Sequence, residues 1–343
     1  MRALLYCAGG GIGDSLVASV VARALREKYE VVDALTLPGH RATLERVPDL
    51  DGVLVDEGGD ERALADSLLV REYDLCAVTW ATSRTARIPQ LARIATRVGQ
   101  ARRIYSFRFT KAVRIRSEMG DVTSHWSDIL LDYARAVGCE TADRTYRFVP
   151  TRQDEEEAQR IVGALEVSKD DFVILNPCNA VASTRGIWPV DGWARLALQL
   201  QDRYGGRVLV SGSPADAPIA EAIVASALGR ARGDAAQAAT PVVSVAGRLG
   251  IGAFGALASR ARGFVGITTG SMHVAAAAGC PTVGIFPFQT DYPDRWAPLG
   301  ERTAVVRPSY ACHAGDTKET CADYACVAHL DLPRIGAAAE SVL

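Results

Sequence analysis

The sequence predicts an α/β protein made of two Rossmann-like, doubly wound αβα domains facing each other across a cleft. Three observations carry that prediction. Short apolar runs alternate with helical stretches along the chain. The alternation breaks at a charged stretch near the middle and then restarts. A length of 343 residues suits about two domains at roughly 150 residues each.

The first half opens with an apolar run over residues 3–8, broken by Gly9-Gly10-Gly11. Gly13-Asp14-Ser15 then starts a helix to about Tyr29, with Leu16, Val20, Ala24 and Leu25 at helical spacing. Residues 31–37, 51–55 and 75–79 read as further strands. Strands separated by helices of this length imply a parallel sheet. Residues 152–163 form a charged helix that bridges the halves. The second half reads as strands at 172–176, 207–211, 242–245, 263–267 and 282–286. Helices at 189–204, 215–228, 252–261 and 272–278 lie between them, and 229–240 is a polar, Ala-rich loop. The domains are placed at 1–165 and 166–343, with the last helix free to return to the first domain.

Composition narrows the function. Hydrophobic residues are 48% and charged residues 23% of the chain, which excludes a disordered or fibrous protein. The 38 basic and 40 acidic residues leave a net charge of -2, so nothing draws the whole chain to nucleic acid. No apolar run reaches the roughly 18 residues of a membrane span. The N-terminal apolar run is too short for a signal-peptide core, so a cytoplasmic protein is expected, with its cysteines mostly free thiols. One stretch departs from neutrality. Residues 82–117 hold Arg84, Arg87, Arg93, Arg97, Arg102, Arg103, Arg108, Lys111, Arg114 and Arg116 and no acidic residue. This is either a solvated face or a surface for an anionic acceptor or an acidic membrane face.

Four turns could carry chemistry. Gly9-Gly10-Gly11-Ile12-Gly13-Asp14 follows the first strand and opens a helix, where bare amides meet a ligand. A dinucleotide fingerprint would need a third glycine at Asp14, although Asp33 on the next strand would suit a ribose. A P-loop lacks its Gly-Lys-Ser/Thr. Asp14 would repel phosphate and fits better as a base facing a cleft, or as a plain helix cap. Thr268-Thr269-Gly270-Ser271-Met272-His273 joins a strand to a helix and offers amides and hydroxyls to a diphosphate. Ser183-Thr184-Arg185 precedes Gly186-Ile187-Trp188-Pro189, with Pro189 suited to a helix start. Ser211-Gly212-Ser213-Pro214-Ala215-Asp216 follows another strand, and Asp216 could accept from ribose hydroxyls or cap a helix.

Together these motifs resemble glycosyltransferase family 9, the ADP-heptose:lipopolysaccharide heptosyltransferases, of the two-domain GT-B fold. The resemblance rests on Gly11-Ile12-Gly13-Asp14 with the helix ending Arg23-Ala24-Leu25, on Trp188-Pro189, on Gly212 to Asp216, and on Thr269-Gly270-Ser271-Met272-His273-Val274-Ala275-Ala276. It implies an inverting, metal-independent sugar transfer from an ADP-sugar. Asp14 would be the base. Ser183, Thr184, Arg185, Asp216, Thr268, Thr269, Gly270, Ser271 and His273 would hold the donor, and Gly11, Gly13, Arg102 and Arg103 the acceptor side. Two departures mark the donor site. Gly186 stands where the family has a lysine, and Thr268 where it has an acid. A nucleotide-sugar-binding module without turnover and an NAD-dependent oxidoreductase stay open as alternatives. No cofactor is needed for transfer. Cys312, His313, Cys321 and Cys326 cluster near the C-terminus and could hold a structural zinc or iron, as the resemblance suggests, or be free thiols.

Overall fold

The computed structural model of the chain describes residues 1–177, 188–231, 241–288, 292–311, 320–322 and 324–343. The chain divides into two compact units, Met1–Val149 and Pro150–Leu343.

The first unit has six strands, β1 (Arg2–Tyr6), β2 (Val31–Thr36), β3 (Gly52–Val55), β4 (Leu75–Val78), β5 (Thr96–Gln100) and β6 (Lys111–Val113). Its helices are α1 (Ile12–Leu25), α2 (Arg41–Leu44), α3 (Glu61–Leu69), α4 (Ser83–Leu91) and α5 (Trp126–Arg135). All strands pair in parallel in the order β3-β2-β1-β4-β5-β6. Leu4, Leu5 and Tyr6 of β1 are fully buried, as expected for a central strand covered on both faces. The order reverses between β1 and β4, and that switch point opens a crevice at the carboxyl ends of the two strands.

The second unit repeats the plan. Its strands are β7 (Phe172–Asn176), β8 (Arg207–Val210), β9 (Val242–Ser244), β10 (Gly263–Ile267), β11 (Thr282–Ile285) and β12 (Thr303–Val306). Its helices are α6 (Arg152–Ala164), α7 (Val190–Tyr204), α8 (Ala217–Ala231), α9 (Ile251–Ala258), α10 (Gly270–Ala277), α11 (Pro293–Trp296), α12 (Ala325–Ala328) and α13 (Leu332–Val342). The parallel order is β12-β11-β10-β7-β8-β9, so the switch point lies between β7 and β10.

The structure moves two boundaries. The helix read as a bridge, α6, packs on α9 and belongs to the second unit, so the division falls at Val149–Pro150 rather than at 165. The last helix, α13, packs on β11, β12 and α7 of its own unit instead of returning to the first. Strands β5 and β6 both lie inside the basic segment, where no strand was read. Helix α8 runs on to Ala231, into the segment read as a loop; residues 232–240 lie outside the described residues.

Candidate active site

In the first unit, the loops after β1 and β4 flank the switch point. Gly11 caps α1 with extended backbone, and Asp14 is the third residue of the helix. The Gly11 N–H donates to Asp14 Oδ2 at 2.7 Å, closing a free amide of the helix end with the protein's own carboxylate. Gly10 has φ +66, and a Cβ there would lie 2.5 Å from the Asp14 carboxyl. Gly9 is equally constrained. A Cβ on it would lie 2.1 Å from the Trp80 ring, so the indole lies against bare backbone. The glycines thus serve the approach of Asp14 and Trp80.

Asp14, Gly9, Ser15, Thr79, Trp80 and Trp126 line a small cavity, with Cys7, Ala18 and Leu130 completing it. Trp80 is 43% exposed. Burial pushes the Asp14 carboxyl above the ordinary aspartate range, against the lowering pull of the Gly11 amide, its own amide and His40. His40 is buried, and burial holds it below the ordinary histidine range despite the attraction of Asp14. The Ser15 hydroxyl and His40 Nδ1 bond at 2.8 Å. A carboxylate with a raised pKa, lining a cavity beside two indoles, is suited to accept a proton. Cys7 is pushed up to about 12 by burial, so it is a thiol and not a nucleophile.

A second network braces these loops. Arg84 of α4 grips Asp56 with Nη2 at 2.6 Å and Nε at 2.9 Å, and the Tyr6 hydroxyl donates to the same carboxylate. Although burial pushes Asp56 up, Arg84 and Tyr6 hold it below the ordinary range.

The structure separates the basic segment into paired and unpaired members. Arg84 pairs with Asp56, Arg87 with Glu61, Arg103 with Glu118, and Arg116 with Asp128 and Asp132. Arg97 turns inward to the carbonyls of Ile94 and Arg108. Arg102 and Arg103 are exposed, and neither lines the Asp14 cavity. Asp33 does not end its strand. It is buried within β2, accepts from Tyr73 Oη at 2.5 Å and pairs with Arg2. It therefore takes no ribose, and the dinucleotide reading loses its support.

In the second unit, Thr269 caps α10 with extended backbone and no side-chain hydrogen bond. The Thr269 hydroxyl is buried and has no hydrogen-bond partner among the described residues. Gly270 and Ser271 begin the helix, so their amides lie at its positive end. The Thr268 N–H is used within the sheet, donating to the Ile285 carbonyl at 2.9 Å. His273 is buried on the first turn of α10. Asn176 ends β7 at the same switch point, and sequence reasoning missed it. Its Nδ2 donates to Ser211 Oγ at 2.9 Å, while its Oδ1 is buried with no partner among the described residues. A Cβ on Gly266 would lie 2.8 Å from Asn176, so the glycine makes room for it. The only signal for Asn176 was a polar residue closing an otherwise apolar run.

Asp216 caps a short turn. Its Oδ2 accepts from the Ser213 N–H at 2.7 Å and the Ser213 hydroxyl at 2.5 Å. Ser183, Thr184 and Arg185 lie outside the described residues, as do Gly186, Cys312 and His313. Cys321 Sγ accepts from the Tyr324 N–H at 3.3 Å, and Cys326 is buried in the second core. Among the described residues no group of three or more His, Cys, Asp or Glu side chains is placed to hold a metal ion. No helix among them is long and apolar enough to cross a membrane.

Two doubly wound units, one with a carboxylate at its switch point and one with open helix amides, define a two-domain α/β protein of the GT-B type. The chain belongs to glycosyltransferase family 9 (heptosyltransferase), whose model matches residues 61–325. That span includes the Thr269 turn, while the Asp14 turn precedes it. Solved structures cover both. Escherichia coli ADP-heptose LPS heptosyltransferase II is similar over 99% of this chain and 98% of its own, at TM-score 0.77 and 19% identity. A family 9 glycosyltransferase from Veillonella parvula gives TM-score 0.81 at 17% identity over 99% and 96%. Escherichia coli heptosyltransferase WaaC, solved with ADP, gives 0.67 at 17% over 90% and 93%. No curated protein matches the chain by sequence.

Proposed function

We propose that this family 9 glycosyltransferase moves a heptose or related sugar from an ADP-sugar to a hydroxyl of a glycolipid acceptor, in the cytoplasm, with inversion and without a metal ion. The observation that carries the reading is the contrast between the switch points. One presents the Asp14 carboxylate beside Trp80 and Trp126, and the other presents the amides of Gly270 and Ser271 with a Thr269 hydroxyl that has no partner among the described residues.

The first accepts a proton and the second accepts a diphosphate. Asp14 takes the proton from the acceptor hydroxyl. The acceptor oxygen forms the new bond to the anomeric carbon from the face opposite the leaving group. The bond from that carbon to the diphosphate oxygen breaks, and the electron pair leaves with the diphosphate. The Gly270 and Ser271 amides, Thr268, Thr269, Ser183, Thr184 and Arg185 stabilise that charge. In this reading His273 and Asp216 serve the donor, through its ribose and phosphate oxygens. Gly11 and Gly13 shape the acceptor turn. Trp80 offers an aromatic face for an acceptor sugar ring.

Gly186 and Thr268 favour a second reading, a nucleotide-sugar-binding module without turnover. Incubation with ADP-heptose and a lipopolysaccharide-core acceptor separates the two. Sugar transfer by the wild type that Asp14→Asn abolishes, with nucleotide binding kept, supports the transferase. Equal turnover by the variant contradicts the role of Asp14. Metal analysis of the purified protein tests Cys312, His313, Cys321 and Cys326 as structural ligands, for which stoichiometric iron or zinc is the supporting result.

A further inference from the structure

The connection between the parallel strands β5 and β6 has a firm backbone and two bare apolar side chains. The Arg103 N–H donates to Ser106 Oγ at 2.9 Å, and that hydroxyl donates to the Gln100 carbonyl at 2.8 Å. Arg97 Nε donates to the Arg108 carbonyl at 2.8 Å. Phe109 is buried against Gly99, where a Cβ would lie 2.3 Å from its ring. Tyr105 Oη donates to the Ala81 carbonyl at 2.5 Å. A loop tied at so many points still holds Ile104 at 93% exposure and Phe107 at 74%. Single exposed apolar side chains are ordinary. Two within one short anchored connection call for a partner.

The surroundings say which partner. Arg102 is exposed at φ +61, a backbone conformation that non-glycine residues rarely adopt. The Arg108 guanidinium lies 4.8 Å from the centre of the Phe107 ring. Lys111 and Arg114 are exposed on and just after the edge strand β6. Arg102, Lys111 and Arg114 form no ion pair among the described residues, unlike Arg84, Arg87 and Arg116. Exposed apolar side chains on a segment that also carries exposed cations without ion partners among the described residues match a surface that is negative outside and apolar beneath. That is the layering of an anionic lipid leaflet.

We propose that this loop docks the protein on an anionic bilayer, with Ile104 and Phe107 entering the acyl boundary and Arg102, Arg108, Lys111 and Arg114 meeting the headgroups. Tyr105 ties the loop to Ala81, next to Trp80 of the Asp14 cavity. Docking therefore brings the carboxylate turn to the membrane surface, where a lipid-linked acceptor presents its hydroxyl. That consequence rests on the transferase reading, whereas the docking itself does not.

The test is co-sedimentation of the full chain with phosphatidylcholine vesicles, with and without about 30 mol% phosphatidylglycerol. Binding is expected on the anionic vesicles only. The double variant Ile104→Ser/Phe107→Ser should weaken it about tenfold or more. Arg114→Glu should weaken it about fivefold or more and reduce its salt dependence. Both side-chain sets are exposed, so thermal melting should not change. Absence of binding to anionic vesicles overturns the proposal, as does binding that the serine pair leaves intact. A dimer that the serine pair dissociates, without vesicle binding, assigns the loop to a second copy instead. Nucleotide binding by the same proteins is read separately. Vesicle binding without nucleotide binding would sink the transferase reading and leave the docking loop standing.

Discussion

The turns after β1 and β10 are built alike and prepared differently. Each follows a parallel strand of the sheet interior beside a switch point and opens a helix. At the first, the helix end is closed from within, because the Gly11 amide donates to Asp14. At the second, Thr269 gives the Gly270 and Ser271 amides no side-chain cap, and its own hydroxyl is buried with no partner among the described residues. One acidic residue in the first turn is thus the difference between a helix end that offers a base and one that awaits an anion.

The largest effect expected is on Asp14. Asn keeps the shape and loses the base, so Asp14→Asn should lower kcat by roughly a hundredfold or more while the nucleotide Kd stays within about twofold. Gly10→Ala should be next. A Cβ at φ +66 both strains the backbone and displaces the Asp14 carboxyl, costing about 1–2 kcal/mol of stability in thermal or urea unfolding and most of the transfer rate. Ser271→Asp places an acid in the second turn and makes it resemble the first. It should weaken nucleotide binding about tenfold or more by calorimetry without destabilising the fold. Trp80→Ala should raise the acceptor KM about tenfold and leave the donor KM unchanged.

The smallest effect is on stability. The folded pKa of Asp14 lies above its unfolded value, so protonation favours the folded state. The stabilising contribution is complete below the unfolded pKa and is lost as pH rises through the folded one. Asp14→Asn should therefore melt slightly higher than wild type at neutral pH, and the difference should vanish on acidification. The acid limb of kcat/KM should likewise lie above the range of an exposed aspartate. A mutant melting below wild type at neutral pH would show that the Gly11 amide outweighs burial.

Much of this contrast was legible in the sequence. The Gly-rich turn before Asp14 and the hydroxyl-rich turn before His273 stand directly after apolar runs, and the structure puts both at switch points. What was not legible has physical causes. Thr96–Gln100 and Lys111–Val113 are strands at the polar side of the sheet, where arginine, lysine and glycine interrupt the apolar pattern. Gly99 reads as a breaker but makes room for the Phe109 ring. Four of the cations of 82–117, Arg84, Arg87, Arg103 and Arg116, find acids that lie outside that window, Asp56, Glu61, Glu118 and Asp128, and meet them only in the fold. Asp33 looked like a ribose ligand because its partners, the buried Tyr73 and the partly exposed Arg2, are distant in sequence. Trp80 and Asn176 carried little signal, since a single residue after a strand has no periodicity.

The most direct test of the contrast is calorimetric titration of ADP, with UDP and GDP beside it, into wild type, Asp14→Asn and Ser271→Asp. The account predicts that ADP binds wild type and Asp14→Asn alike, more tightly than UDP or GDP, and loses most of its affinity for Ser271→Asp. ADP binding that Asp14→Asn abolishes and Ser271→Asp leaves intact would exchange the roles of the two turns and contradict the account.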